Sequence, residues 1–252
     1  MGGCKIGLCT QELSGPRGWH MTLTTIGFDA DDTLWHHETY FRMTQGHFTR
    51  LLAGYADPDH LHERLLEAER RNLGHYGFGV KGFVLSMIET AIEVTDGRVP
   101  ATVISDIMAA GREMLSHPID LLPDARAAVS ALARTHRILL ITKGDLMDQD
   151  RKLAQSGLGE MFYAVEVVSD KTASVYARAF ARHGTGAAQA MMVGNSLKSD
   201  VLPAIEAGAW GIHVPSGAPW ALDIADPPTG HPRYRALPGL GALVPLVSML
   251  DG

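Results

Sequence analysis

The strongest constraint on the fold is a series of short apolar runs that alternate with helical patterns. Thr22 to Phe28 is rich in β-branched and apolar residues, as are "RILLIT" (137–142), "YAVEVV" (163–168), "AMMVG" (190–194) and "WGIHV" (210–214). Runs this apolar suit strands of a parallel sheet whose two faces are both covered by helices. "PDARAAVSALART" precedes the second run and places Ala125, Val129 and Leu132 near one face. "LMDQDRKLAQSG", "KTASVYARAFARHG" and "LKSDVLPAIEAG" each close on a glycine, Gly157, Gly184 and Gly208, in a C-terminal capping role. The alternation predicts an α/β fold built on a doubly wound parallel sheet.

One segment breaks the alternation. Between Trp35 and Ile119, "TYFRMTQGHFTRLL", "DPDHLHERLLEAERRNLG", "FVLSMIETAIEV" and "PATVISDIMAAGREML" read as four helices with no strand, the second starting at Asp57-Pro58. They form an all-helical module inserted after the first strand. The expected division is a core of residues 21–35 and 120–252, a helical module of residues 36–119, and a disordered extension of residues 1–20.

Bulk properties narrow the setting. A hydrophobic content of 46% over 252 residues supports one large core with a smaller second unit. A formal net charge of −6 and the lack of any Lys/Arg block argue against a nucleic-acid partner. No apolar run has the length to cross a bilayer, and the first twenty residues lack a signal peptide's apolar region, so no membrane partner is expected. The two cysteines, Cys4 and Cys9, exclude a disulfide framework in the body of the chain and fit a cytoplasmic setting. The expected assembly is a monomer or a homodimer.

Open α/β sheets bind ligands beyond the carboxyl ends of their strands. The first run ends in Asp29-Ala30-Asp31-Asp32-Thr33, and the second in Thr142-Lys143-Gly144-Asp145. Ser169, Asp170 and Lys171 follow the third; Gly194-Asn195-Ser196 and then Ser199-Asp200 follow the fourth. Asp29, Asp31 and Asp32 repel one another, an arrangement that a cation or an anionic ligand's partners make worthwhile.

This set resembles the haloacid dehalogenase-like hydrolase superfamily. "FDADDTL" matches its first motif, "ITKG" its second, Lys171 in "SDKTASVY" its third and "VGNSLKSD" its fourth. The resemblance runs from Met21 to Val214, and the helical module falls where that family carries its first-type cap. It implies Asp29 as nucleophile, forming an aspartyl-phosphate, and Asp31 as general acid and base. It implies Mg²⁺ held by Asp29, the Asp31 carbonyl and Asp200, with Asn195 where the family often has Asp. Thr142, Lys143 and Gly144 would hold phosphate oxygens while Lys171 neutralises charge. Ionised Asp29 is expected to favour the protonated form of Asp31, and Asp32 to cap the next helix.

Asp31 favours phosphate-ester hydrolysis over dehalogenation, because a departing halide needs no proton. The implied substrate is a small phosphorylated metabolite, with a phosphomutase or dehalogenase as alternatives in the same family. The departures are Lys143 in place of the usual Asn, and Thr172 where Pro commonly follows the motif lysine, which makes Lys143 the nearest rival for that role. Lys81, in "GHYGFGVKGF", is expected to meet substrate from a cap loop. His36 and His37 are read as cleft, surface or hinge residues, and His60 and His62 as a solvated helix face. A phospho-accepting receiver module is the rival from another class. Receivers carry the acidic pair and the accepting Asp on different strands, whereas here the cluster follows one.

Overall fold

The computed structural model describes residues 22–217 and 220–252. The expectation for residues 1–20 lies outside them. Among the described residues six parallel strands form one sheet: β1 (Thr25–Phe28), β2 (Arg137–Lys143), β3 (Ala164–Val168), β4 (Ala190–Gly194), β5 (Trp210–His213) and β6 (Tyr234–Ala236). Their order is β3-β2-β1-β4-β5-β6. The first five coincide with the apolar runs. β6 does not, because three residues at a sheet edge are too few to show a period.

The alternation of side chains along each strand feeds two cores. On one face Ile26, Phe28, Ile138, Leu140, Met191 and Val193 pack against α5 (Ala125–Leu132) and α9 (Leu243–Asp251). On the other, Leu139, Ile141 and Met192 meet Tyr176 and Phe180 of α7 (Ala173–His183) and Ala204 of α8 (Leu202–Glu206). Each fully buried Ile, Leu or Phe contributes roughly 1.5–3 kcal/mol. Gly157 ends α6 (Leu146–Ser156) in the left-handed conformation at φ 64°. Gly184 ends α7 differently, at φ −140°; there a Cβ would come within 2.2 Å of Thr25 Oγ1, so close approach to β1 excludes a side chain.

The inserted module is helical throughout: α1 (Glu38–Leu51), α2 (Pro58–Tyr76), α3 (Val80–Val94) and α4 (Ala101–Ser116). Asp57 caps α2 by accepting the His60 N–H at 3.0 Å, with Pro58 at the first helical position. Phe48, Leu61, Leu65, Phe83, Met87 and Ile107 give the module a core of its own. The chain runs outward from β1 through β2 to β3, then returns to the other side of β1 as β4. That reversal opens a crevice at the carboxyl ends of β1 and β4, with the module above it.

Candidate active site

Asp29 follows β1 directly, and its N–H donates to Val193 O at 2.9 Å, so the sheet itself fixes its backbone. Its side chain is buried. Thr33 Oγ1 donates to Oδ2 at 3.1 Å, and Lys171 Nζ donates to Oδ1. The same ammonium reaches Asp200 Oδ1 at 2.6 Å, which makes Lys171 a bridge between the two carboxylates. Asp200 sits in a single π-helical turn, Leu197–Val201, where its Oδ2 accepts the Ser196 N–H at 2.9 Å. Glycine at 194 permits this: a Cβ there would stand 2.2 Å from Asp200 Oδ2.

Charge at the base of the crevice is nearly closed on itself. Burial pushes Asp29 up to about 7 against the pull of Lys171, with Asp200 and Asp31 adding repulsion. Lys171 stays well above the ordinary lysine value: burial opposes its charge, but Asp200 and Asp29 outweigh that.

Asp31 departs from expectation. Trp35 Nε1 donates to its Oδ1 at 2.7 Å, Gln149 Nε2 to its Oδ2 at 2.9 Å, and Lys152 Nζ to both oxygens at 3.0 Å. Burial alone would raise its pKa; the charges of His37 and Lys152 and the Gln149 and Lys152 hydrogen bonds overcome it and hold Asp31 well below the carboxylate range. The expected protonated Asp31 is therefore corrected to an ionised one, because the Lys152 ammonium and the hydrogen bonds to its two oxygens favour the charged form. His37, 3.5 Å from Asp31 Oδ2, belongs to the site. Asp32, at φ 57°, accepts the His37 and Glu38 N–H groups at 3.0 and 2.9 Å, which serves the start of α1.

Thr142 is buried, lines the cavity, and donates from its hydroxyl to the Lys143 carbonyl at 3.2 Å. Lys143 Nζ donates to Ser199 Oγ at 2.8 Å and lies 3.9 Å from the centre of the Phe78 ring. Gly144, at φ 129°, makes the turn beside them; a Cβ would press on Gln149 Nε2 at 3.0 Å. Asn195 closes the other side, its N–H donating to Thr33 Oγ1 at 3.0 Å and its Oδ1 lying 3.3 Å from the same hydroxyl. Lys81 is elsewhere: half-exposed, it pairs with Asp145 at 2.8 Å across the seam between α3 and the loop after β2. Its neighbours Gly77, Phe78 and Gly79 line the cavity in its stead. That cavity, about 190 Å³, lies between the strand ends and the helical module.

Among the described residues no three His, Cys, Asp or Glu side chains converge on one point as a metal cluster. The oxygen donors that line the strand ends include two carboxylates, Asp29 and Asp200, and the amide oxygen of Asn195. Hard oxygen donors of this kind fit Mg²⁺ and suit softer metals poorly. Thr33, Gln149 and Lys152 are site residues that the sequence reading did not single out.

The model of a family described as haloacid dehalogenase-like hydrolase matches residues 23–208. No curated protein matches the chain. A haloacid dehalogenase-like family hydrolase from Xanthomonas campestris is 41% identical, with a TM-score of 0.82, over 91% of this chain and 92% of that one. The putative HAD-hydrolase YfnB from Bacillus subtilis, solved with magnesium, is 18% identical with a TM-score of 0.61, over 90% of this chain and 99% of that one. A predicted phosphoglycolate phosphatase from Haemophilus somnus is 15% identical with a TM-score of 0.60, over 89% and 97%. An L-2-haloacid dehalogenase shares the fold as well.

Proposed function

The chain belongs to the haloacid dehalogenase-like hydrolases, and we propose that within that family it is a Mg²⁺-dependent phosphatase acting on a small phosphorylated metabolite. The observation that carries this reading is the pairing of Asp29 with a second carboxylate, Asp31, two residues on, beside Lys171 in one crevice. A carboxylate oxygen of Asp29 attacks phosphorus, the P–O bond to the leaving group breaks, and an aspartyl-phosphate forms. Water then attacks that phosphorus and releases inorganic phosphate with Asp29 restored.

Lys171 and Lys143 neutralise the phosphoryl oxygens, and the Thr142 hydroxyl and nearby backbone amides orient them. Asp29, Asp200, Asn195 and the Asp31 carbonyl would hold Mg²⁺, which supplies further charge neutralisation when bound. Asp31 as found is ionised, the form that takes a proton from the attacking water. Bringing a phosphate dianion beside it raises its proton affinity, which suits it to protonate the leaving alkoxide in the first half-reaction.

The proposed setting is cytoplasmic, as a monomer or homodimer, with no nucleic-acid or membrane partner. Its support is the net charge of −6 and the lack, among the described residues, of a helix long and apolar enough to cross a membrane. One observation favours a second reading: an Asp31 held ionised by Lys152 suits dehalogenation, which needs no acid. Turnover of p-nitrophenyl phosphate with and without Mg²⁺, in wild type and Asp29→Asn, tests the first reading. Chloride release from 2-chloropropionate tests the second. A phosphatase gives aryl-ester turnover that needs Mg²⁺ and falls about 10³-fold or more in the variant; full activity in Asp29→Asn would overturn it.

A further inference from the structure

The cavity has a polarity along its depth. Its lysines, Lys143, Lys152 and Lys171, all come from the sheet end, where a phosphate belongs. The wall supplied by α2 and α3 contributes Glu69, Asn72 and Ser86 and no cation among the described residues.

Glu69 stands apart from the other acids that line this space. Each of the others lies within salt-bridge reach of a lysine or arginine, apart from Asp32, whose oxygens accept two backbone N–H groups. Glu69 Oε2 accepts the Trp220 indole N–H at 3.0 Å, and its Oε1 has no partner among the described residues. One turn along α2, Asn72 is 8% exposed. It donates through Nδ2 to Ser86 Oγ and Glu89 Oε2, at 3.2 and 2.6 Å, which leaves Oδ1 as an acceptor without a partner among the described residues. The wall thus offers acceptors. Two aromatic rings stand with them: Trp220 meets Phe78 edge-on at 6.1 Å between centroids, and Phe78 in turn carries Lys143 Nζ at 3.9 Å from its ring centre. A carboxylate beside aromatic faces is the chemistry that holds an ammonium group, and a negative wall opposite a positive floor matches a zwitterion.

We propose that Glu69, with Trp220, binds an ammonium group on the leaving-group portion of the substrate, so that the preferred substrates are phosphate monoesters of amino alcohols. This assignment rests on the phosphatase reading above. The state of Glu69 agrees with it: burial pushes its carboxyl up to about 7, the Trp220 hydrogen bond pulls the other way, and Glu38 adds repulsion. Carboxylate-bearing esters and bisphosphates would set a second anion against Glu69 and are disfavoured.

Ethanolamine phosphate and phosphoglycolate are close in size and opposite in charge at the far end. The test measures kcat/KM for both, and for p-nitrophenyl phosphate, in wild type and Glu69→Gln, with folding checked by circular dichroism. Wild type should prefer ethanolamine phosphate by about tenfold or more, and Glu69→Gln should cut that ratio by a similar factor. A wild-type preference for phosphoglycolate, or an unchanged ratio in the variant, overturns the assignment while aryl-ester turnover leaves the phosphatase reading intact. If wild type hydrolyses no ester, the phosphatase reading fails instead. Calorimetric binding of ethanolamine phosphate then decides the ammonium site: weaker binding to Glu69→Gln supports it, and equal binding overturns it.

Discussion

Both carboxylate oxygens of Asp31 lie 3.0 Å from Lys152 Nζ, a bridge that ties the loop after β1 to α6. The Lys152 side chain is 5% exposed and that of Asp31 19%. Lys152→Met removes the ammonium from Asp31 and from Asp148, whose Oδ2 lies 3.2 Å from it, and leaves both buried carboxylates undercompensated, so unfolding stability should drop by about 3–5 kcal/mol. Adding Asp31→Asn to that variant should recover part of the loss, because one of the two undercompensated charges is gone. Since Asp31 is held below its ordinary 3.8, the stability from this pair is complete above that pH and is lost as pH falls below it. Urea midpoints for the two variants check this; additive losses would refute the pairing.

Glu69 gives a pH dependence of the opposite sign. Its ordinary pKa of 4.5 rises to about 7 in the folded chain. Between those values the folded state binds more protons than the unfolded one, so Glu69 lowers stability as pH rises through the window. Glu69→Gln should therefore gain on wild type as pH goes from 4.5 to 7. Denaturation midpoints of both proteins across that range test the claim, and parallel curves would contradict it.

Gly194 is predicted to tolerate no side chain. An alanine Cβ would stand 2.2 Å from Asp200 Oδ2 and 2.6 Å from Asp200 Cβ, with buried backbone on the other side. Asp200 would have to leave the Ser196 N–H. Overpacking of this kind costs about 1–3 kcal/mol, and displacement of Asp200 should raise the Mg²⁺ concentration needed for half-maximal activity. An unaltered Mg²⁺ titration in Gly194→Ala would remove Asp200 from the metal site.

Lys81 should behave as a seam residue. Its side chain is 56% exposed, and it meets Asp145 at 2.8 Å. Exposed pairs contribute about 0–1 kcal/mol, so Lys81→Ala should change stability by no more than that and leave KM for small esters within about twofold. A large rise in KM would restore the direct substrate contact expected from the loop.

Much of the site was legible in the chain. Asp29, Thr142, Lys143, Lys171, Asn195 and Asp200 all line the cavity, because strand runs are local and a parallel sheet carries every strand end to one rim. Asp32 was also readable, since its cap serves residues five and six positions on. Lys81 stands apart from the cavity lining for a reason of the same scale: at the start of its helix it meets Asp145 across the seam, and one residue's direction on a cap is beyond what spacing encodes.

What the sequence determined by itself was the order of elements and the identity of the groups brought to the rim. Apolar run length, helix periodicity and capping residues act between near neighbours, so they can be read from a string. The tertiary structure alone decided the state of those groups. Asp31 is ionised because Lys152, 121 positions away, lies against it. Glu69 is strained towards protonation at a wall completed by Trp220, 151 positions away. Burial and Coulomb interaction depend on distance through space, and that distance exists only once the chain has folded.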